Sequence, residues 1–532
     1  MTDRDARLVA AVRAGDLVEV HGLLSAGADP GTVGEDGLPL LCTAVAAPGQ
    51  RMAEALLGAG APPDTVDAQG LPVLCTAVAA GNAEVVGALL RAGAAPDPVD
   101  GSGLPVLCTA VAAFEHRIVE ALVEAGADPH HVLPDGTTPL LRAVEGGSPA
   151  TVTALLWGQY LPAPELPLAR PVRERLLAAA RHWYETGAEA ELRRRTGATG
   201  PAKTSTVDDD WHEVEQITLG GRTVRAGHGA VLTTLEAAFG VPTPLTELVA
   251  RAVRHPDPGH VDWHESSSRL GRRSDEEARE LVTSLRHHPS ADHRRFAADV
   301  LGSRQYFLKG TAYPHHAEDR DFLAAWAETE TDAVVLAEVL RALTEHAEEH
   351  PRLEAIGLRH AGHPDPLVRR MVSGCLWWPD RHLTVEAAAA LWALTHDADA
   401  EVRFHAALIL VGDERQDLDG PRAVVRDLVR DPHSPLRGGA AEALAESDDR
   451  TADATELLLS LLDTDDRILR LVGAYGLARR DDPRTPEAYA RVEELGPIHR
   501  PDHRANALED WRGRNEALPH AGNGNGNGNG NG

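Results

Sequence analysis

Apolar positions along residues 1–158 fall into short helical runs separated by polar turns, and the whole pattern repeats every 33 residues. Leu23, Leu56, Leu89, Leu122 and Leu155 keep that spacing, as do Gly27, Gly60, Gly93 and Gly126, and Ala44, Ala77, Ala110 and Ala143. A fixed period of this size marks a stacked repeat, in which no unit buries its apolar face without a neighbour. Within one unit, "DGLPLLCTAVAA" from Asp36 predicts a turn and a short helix whose alanines permit close approach. "AEVVGALLRAGA" from Ala83 predicts a second helix, with Gly93 as its left-handed cap. "APDPVDGSG" then supplies Pro, Asp and Gly for an extended finger-like turn.

A second pattern starts near Pro242. "HPDPGHVDWHESSSRLG" at His255, "HPSADHRRFAADVLG" at His288 and "HPDPLVRRMVSGCL" at His363 begin alike; "DADAEVRFHAALIL" at Asp397, "DPHSPLRGGAAEAL" at Asp431 and "TDDRILRLVGAYGLA" at Thr464 share the same plan. Each reads as a short turn, an Asp or Ser N-cap, and an alanine-rich helix carrying an arginine. Arg369, Arg403 and Arg437 are 34 apart and Arg470 comes after 33, whereas Leu336 stands where an arginine is expected.

Between the two patterns, residues 159–242 carry a weaker signal. "VRERLLAAARHWYETGAEAELRRRTG" from Val172 has amphipathic helical spacing, and "GATGPAKTSTVDDD" reads as a flexible polar break. "EQITLGGRTVRAG" predicts a small β-hairpin turning at Gly220-Gly221. The segment is expected to be a linker with local structure or a small adaptor.

On these residues the first pattern resembles the ankyrin repeat family. "DGTTPLLRAV" from Asp135 matches that family's opening motif, and "GADP" at Gly27 and Gly126 its closing one. The resemblance covers 4–158, about five repeats. Cys42, Cys75 and Cys108 stand where the family usually has a histidine that ties down the turn, and Pro39, Pro72 and Pro105 come one place early. The second pattern resembles HEAT repeats of the bacterial phycobilisome-lyase type, over about 243–490. That resemblance implies that Asp365, Asp399, Arg369, Arg403, Arg437 and Arg470 bind neighbouring units together.

Composition narrows the function. With −29 formal charge, the chain lacks the basic surface that phosphate neutralisation needs, so no nucleic acid is expected. Four cysteines in 532 residues fit a reducing cytoplasm rather than a disulfide framework. The start, "MTDRDARLVAAVRAGD", has no basic head and apolar core of a signal peptide, and no stretch approaches the roughly 20 apolar residues of a membrane span. Three thiols one repeat apart stand about 8–10 Å from one another, the spacing of packed helices. That is too far for one zinc ion or a disulfide, so they are expected to be buried packing residues.

Candidate chemistry is sparse. His260 and His264 have the i, i+4 spacing that can chelate a metal, but His255, His288 and His363 recur at repeat turns as part of the unit pattern. Neither a metal nor any other cofactor is expected. Trp377, Trp378, Asp380 and Arg381 offer the residue types with which some HEAT-like DNA glycosylases hold a damaged nucleotide, although such tryptophans also serve as packing. Finger residues Asp64, Asp67, Asp97, Asp100, His130 and His131 are candidate contacts for a basic protein partner, or ordinary solvated turn residues.

The expected fold is all-α: an ankyrin-like solenoid over 1–158, a central segment over 159–242, a HEAT-like solenoid over 243–515, and a disordered Gly/Asn tail over 516–532. The expected function is a non-enzymatic, cytoplasmic scaffold or adaptor that binds protein. The alternative is a HEAT-type enzyme or cofactor-handling helper with a ligand in the concave groove.

Overall fold

Each 33-residue unit of the first array folds as its apolar spacing dictates. Helix Val73–Ala79 buries Val73, Leu74, Cys75, Ala77 and Val78, too many for a single stripe, so it lies enclosed within the stack. Helix Ala83–Arg91 buries Val85, Val86, Ala88 and Leu89 on one face, and the Asn82 side chain caps its first turn. Leu56, Leu89 and Leu122 are fully buried, each contributing about 1.5–3 kcal/mol by leaving water.

Those units stack in order. Helices Leu40–Ala46, Val73–Ala79, Val106–Ala113 and Pro139–Gly146 pack one on the next. Leu17–Ser25, Gln50–Gly58, Ala83–Arg91, His116–Glu124 and Pro149–Trp157 form a second row. In this computed structural model the described residues are 2–46, 50–157, 168–308, 313–345, 350–378, 381–412, 418–493 and 502–516. Asp380, and the Gly/Asn tail from residue 517 on, lie outside them.

Packing divides the chain into two units, Met1–Ser303 and Arg304–Gly532. The limits read from the sequence are limits of repeat pattern; the division by packing falls elsewhere.

In the first unit the central segment is built into the array rather than strung beyond it. Leu168, Leu176, Ala180, Val231, Leu232 and Leu235, from the stretch around helices Arg170–Thr186 and His228–Ala238, share one core with the stacked pairs. The described part of this segment thus contributes to the core of the first unit. It carries an antiparallel sheet in the order β1-β2-β3: β1 (Lys203–Asp208), β2 (Glu213–Leu219) and β3 (Arg222–Arg225). Gly220 and Gly221, with φ of 58° and 77°, turn β2 into β3 as the sequence predicts.

Strand β1 corrects the expectation of a flexible break there. Almost every β1 residue is exposed, so "KTSTVD" shows none of the apolar alternation by which a strand is recognised.

Buried polar groups fasten the sheet to the helices. Asp209 accepts from Ser148 Oγ (2.5 Å) and Ala150 N (3.1 Å), capping helix Pro149–Trp157, and pairs with Arg225. Gly147 sits so tightly under the chain that a Cβ there would lie 2.0 Å from the Arg225 carbonyl oxygen. Arg251, fully buried, reaches Glu236 Oε2 at 2.8 Å, Glu247 Oε1 at 2.5 Å and Thr233 Oγ1 at 2.7 Å. Asp262 accepts from Ala230 N at 2.6 Å at the start of helix His228–Ala238, and burial pushes its carboxyl up to about 7.

In the second unit, helices Ala333–Thr344, Pro366–Leu376 and Ala400–Val411 pack in succession, as do Arg437–Glu446, Arg467–Ala478 and His503–Glu516. The side chains of Asp332, Asp365, Asp399 and Asp466 each cap the helix that starts just after them. Among the described residues, helices and one small sheet make up the regular structure, consistent with a helical solenoid architecture.

Candidate docking surface

The fingers of the first array are small hairpins in which Val33 bridges Pro39, Val66 bridges Pro72 and Val99 bridges Pro105. In the third, Asp100 N donates to Leu104 O (2.8 Å), and Gly103 takes the φ of +82° that the tight turn requires. Each turn is then locked from inside. Asp67 Oδ1 accepts from Gln69 N and Leu71 N, both at 2.9 Å. Asp100 Oδ1 accepts from Ser102 N and Leu104 N, and its Oδ2 from Thr109 Oγ1. At Asp135 the hydroxyl and N–H of Thr137, with Arg142, pull the carboxyl down to about 2.

Asp64 and Asp97 have another task. Asp64 Oδ1 accepts from Ala95 N (2.8 Å) and Asp97 Oδ2 from Asp128 N (2.9 Å), so each ties its finger to the next. His130 is half-buried, which lowers its affinity for a proton, and donates its backbone N–H to Asp128; His131 is exposed at the same turn.

The four candidate aspartates are thus engaged within the molecule. Beside exposed polar residues such as Glu35, Gln69 and His131, the fingers also leave large apolar side chains in solvent: Val33, Val66, Val99 and Val132 expose 50%, 46%, 55% and 70% of their surface. They recur every 33 residues, one per finger, making a row of β-branched side chains beside carboxylates. Sequence reasoning missed this row, although its period was in plain view.

An exposed tryptophan stands apart from the row. The β1–β2 turn places Asp210 and Trp211 at φ of 59° and 74°, a conformation costly for residues with a Cβ, and Trp211 is 73% exposed. Trp211 N donates to Asp208 Oδ2 (3.1 Å), and Asp210 lies 3.6 Å from His116.

In the second array the arginines mostly clamp their own turns. Arg403 donates to the carbonyls of Asp397 (2.8 Å) and Ala398 (3.0 Å), Arg470 to that of Thr464 (2.5 Å), and Arg437 to that of Val429 (3.0 Å). Arg369 alone of the four adds the expected tie to the next turn, a two-pronged bond to Asp397 with both arms at 2.7 Å. Its neighbour Arg370, which the repeat pattern did not single out, holds Asp399. The implied role of Arg403 and Arg470 is therefore corrected: a helix-start arginine lies closest to the free carbonyls of its own turn, while Arg437 reaches Val429 at the end of the preceding helix, Asp419–Arg430. Asp365 and Asp399 are N-caps, and Asp399 also receives Arg370.

The aromatic motif is only partly brought together. Trp377 is 40% exposed, Trp378 is half-buried and bridges Arg381, and the Arg381 guanidinium binds Glu354 Oε2 at 2.7 Å.

For metals, His260 and His264 do not converge: His260 Nδ1 accepts from Asp262 N, and the His264 ring stacks on His212. Glu442, Glu446 and His503 do bring ligand atoms within 4.8 Å of one another. This cluster lies at the surface, and Arg504 occupies Glu442 Oε1 at 3.4 Å, which makes it an ion-pair group. Residue spacing gave no sign of it, because His503 comes from a later helix. Cys42, Cys75, Cys108 and Cys375 are free and buried; burial pushes the Cys75 thiol up to about 11.

A family model for HEAT repeats matches residues 387–478. That stretch holds the helix pairs from Val385–Leu394 to Arg467–Ala478, with the Arg403 and Arg470 turn clamps inside it. No curated protein matches the chain. No helix among the described residues is long and apolar enough to cross a membrane.

Proposed function

We propose that the chain is a protein-interaction scaffold whose first array is of the ankyrin type and whose docking face is the finger row. The observation that carries this reading is the exposed ladder Val33, Val66, Val99 and Val132. A periodic apolar row on otherwise satisfied fingers fits an elongated partner that buries valine between acidic neighbours. Net charge of −29 favours a partner with basic side chains, so association is expected to weaken with salt. A scaffold of this kind needs no catalytic group, and the free cysteines fit a reducing compartment such as the cytoplasm.

The test is capture of partners from the native host by wild type and by a Val66→Ser/Val99→Ser variant, at low and high salt. A partner lost from the variant and released by salt supports the reading. One retained equally by both proteins and indifferent to salt overturns it. The second reading, a small ligand beside Trp377, rests on that half-open ring. A ligand screen that quenches tryptophan fluorescence in wild type but not in Trp377→Leu would favour it.

A further inference from the structure

Strand β1 is an open edge of the sheet in the first unit. It pairs with β2 on one side, and the order β1-β2-β3 leaves its other side without a strand. At the turn, Asp209 N donates to His212 O (2.7 Å). Bonding alternates along an antiparallel ladder, so Val207, Ser205 and Lys203 bond toward β2, opposite Val214, Gln216 and Thr218. Thr204, Thr206 and Asp208 therefore turn their N–H and C=O groups outward. No other element among the described residues takes up those backbone groups, and all three residues are exposed. An edge of this kind is a template for one more strand. The usual guards are thin here: Lys203 stands at the very start of β1, and neither a proline nor a bulge interrupts 203–208.

Charge selects the occupant. Side chains alternate across the sheet, so Thr204, Thr206 and Asp208 share a face with Ile217, Glu215 and Glu213 of β2. Ile217 is buried with Trp183 and Leu192, whereas Glu213 and Glu215 are exposed. Asp208 stands directly opposite Glu213, a like-charged pair that costs stability. The cations at this end are taken by the turn, Arg225 by Asp209 and His116 by Asp210. Asp208, Glu213 and Glu215 form no ion pair among the described residues, and Glu215 acts on the half-buried His255 without bonding to it. A strand added beside β1 lies about 5 Å from the β1 backbone and about 10 Å from that of β2, spans that long basic side chains cross. Trp211, 73% exposed, adds apolar surface at the same end of the sheet.

We propose that the open edge of β1 binds an extended segment of another protein with Arg or Lys at alternating positions. Its backbone bonds to Thr204, Thr206 and Asp208, and its basic side chains lie over Asp208, Glu213 and Glu215. A second copy of this chain fits worse, because joining β1 to β1 sets two such carboxylate groups on one face of the combined sheet. The site is separate from the finger row and does not depend on what docks there.

The probe is a labelled peptide of about eight residues that alternates arginine and threonine. It is titrated into the full chain at low and high salt and followed by fluorescence anisotropy. Wild type is expected to bind it, more weakly as salt rises, and to show slower hydrogen exchange at 203–208 when it does. Thr206→Pro removes an outward N–H and leaves the bonds to β2 in place, so it is expected to weaken binding about tenfold. Thr206→Val, which keeps that N–H, is expected to bind as wild type does. Glu213→Gln/Glu215→Gln is expected to weaken binding about fivefold at low salt and to flatten the salt dependence. Val66→Ser/Val99→Ser is expected to change nothing, which separates this site from the fingers. No binding by wild type, full binding by Thr206→Pro, or equal binding of a peptide with proline at its central positions would overturn the proposal. So would slowed exchange confined to the fingers. A dimer in sedimentation that Thr206→Pro abolishes would also overturn it, by assigning the edge to a second copy.

Discussion

In the finger around Asp100, the carboxylate folds back onto Ser102, Leu104 and Thr109 and leaves Val99 in solvent. In the turn around Asp397, the carboxylate binds Asp399 N, Arg403 covers the carbonyls of 397 and 398, and the nearest large apolar side chain, Val402, is buried. Both turns join helices of a stacked array, and both satisfy their backbone polar groups with one aspartate. They differ in the residues after the aspartate. A glycine-rich sequence lets the finger project and carry a β-branched residue at its base. An arginine four places beyond the helix cap pulls the second kind of turn tight against its own helix. Turn chemistry, more than the helices, decides which array offers an apolar surface.

The comparison is broken hardest where polar ties are buried. Arg251→Ala leaves Glu236, almost wholly out of water, and Glu247 with Arg181 as their shared guanidinium, and is expected to destabilise the first unit by about 3 kcal/mol. Urea unfolding monitored by circular dichroism measures it; a loss below about 1 kcal/mol would mean that water replaces the guanidinium. A smaller effect separates the clamps of the second array. Arg369→Ala gives up the two-pronged bond to Asp397 as well as the carbonyls of its own turn, for about 2–3 kcal/mol, against about 1–2 for Arg403→Ala. A double-mutant cycle with Asp397→Ala assigns the excess to the tie between turns, and equal losses in both arginine variants would remove it.

In the fingers the corresponding tie is weaker, because it lies in solvent. Asp97→Ala removes one bond to Asp128 N and is expected to cost about 0.5–1.5 kcal/mol. Faster proteolysis at 128–138 than elsewhere in the array is the sign that this finger has loosened from the next; uniform rates would argue that the stacked helices alone hold the fingers in place.

Much of this was legible in the sequence, and the parts that were not have a physical reason. The 33-residue period shows because Leu, Gly and Ala must recur wherever identical contacts recur, and the Gly220-Gly221 turn shows because few residues accept its backbone. Strand β1 did not show: an edge strand with both faces near water has no apolar alternation. Nor did the true partners of Asp64, Asp97 and Arg403, since a backbone N–H or carbonyl has no letter of its own in the sequence. The valine row was equally visible and was passed over, because attention to charged finger residues assumes that polar means available. Here the candidate aspartates are spent on the fold, and the aliphatic side chains are the apolar contacts left in solvent.

That inversion gives the smallest stability effect and the sharpest functional one. Val66→Ser and Val99→Ser, alone or together, change side chains already about half in solvent, with the backbone bridges to Pro72 and Pro105 intact. Each is expected to shift unfolding free energy by no more than about 0.5 kcal/mol, within the range of ordinary surface substitutions. Val86→Ser, in the same array but fully buried, is the control and should cost several times as much. If the row is a docking face, the exposed pair abolishes partner retention at unchanged stability, while Asp67→Asn, which keeps an oxygen for Gln69 and Leu71, weakens it only at low salt. If retention instead tracks the aspartate and ignores the valines, recognition runs through charge, and the fingers resemble the clamped turns in offering no apolar contact at all.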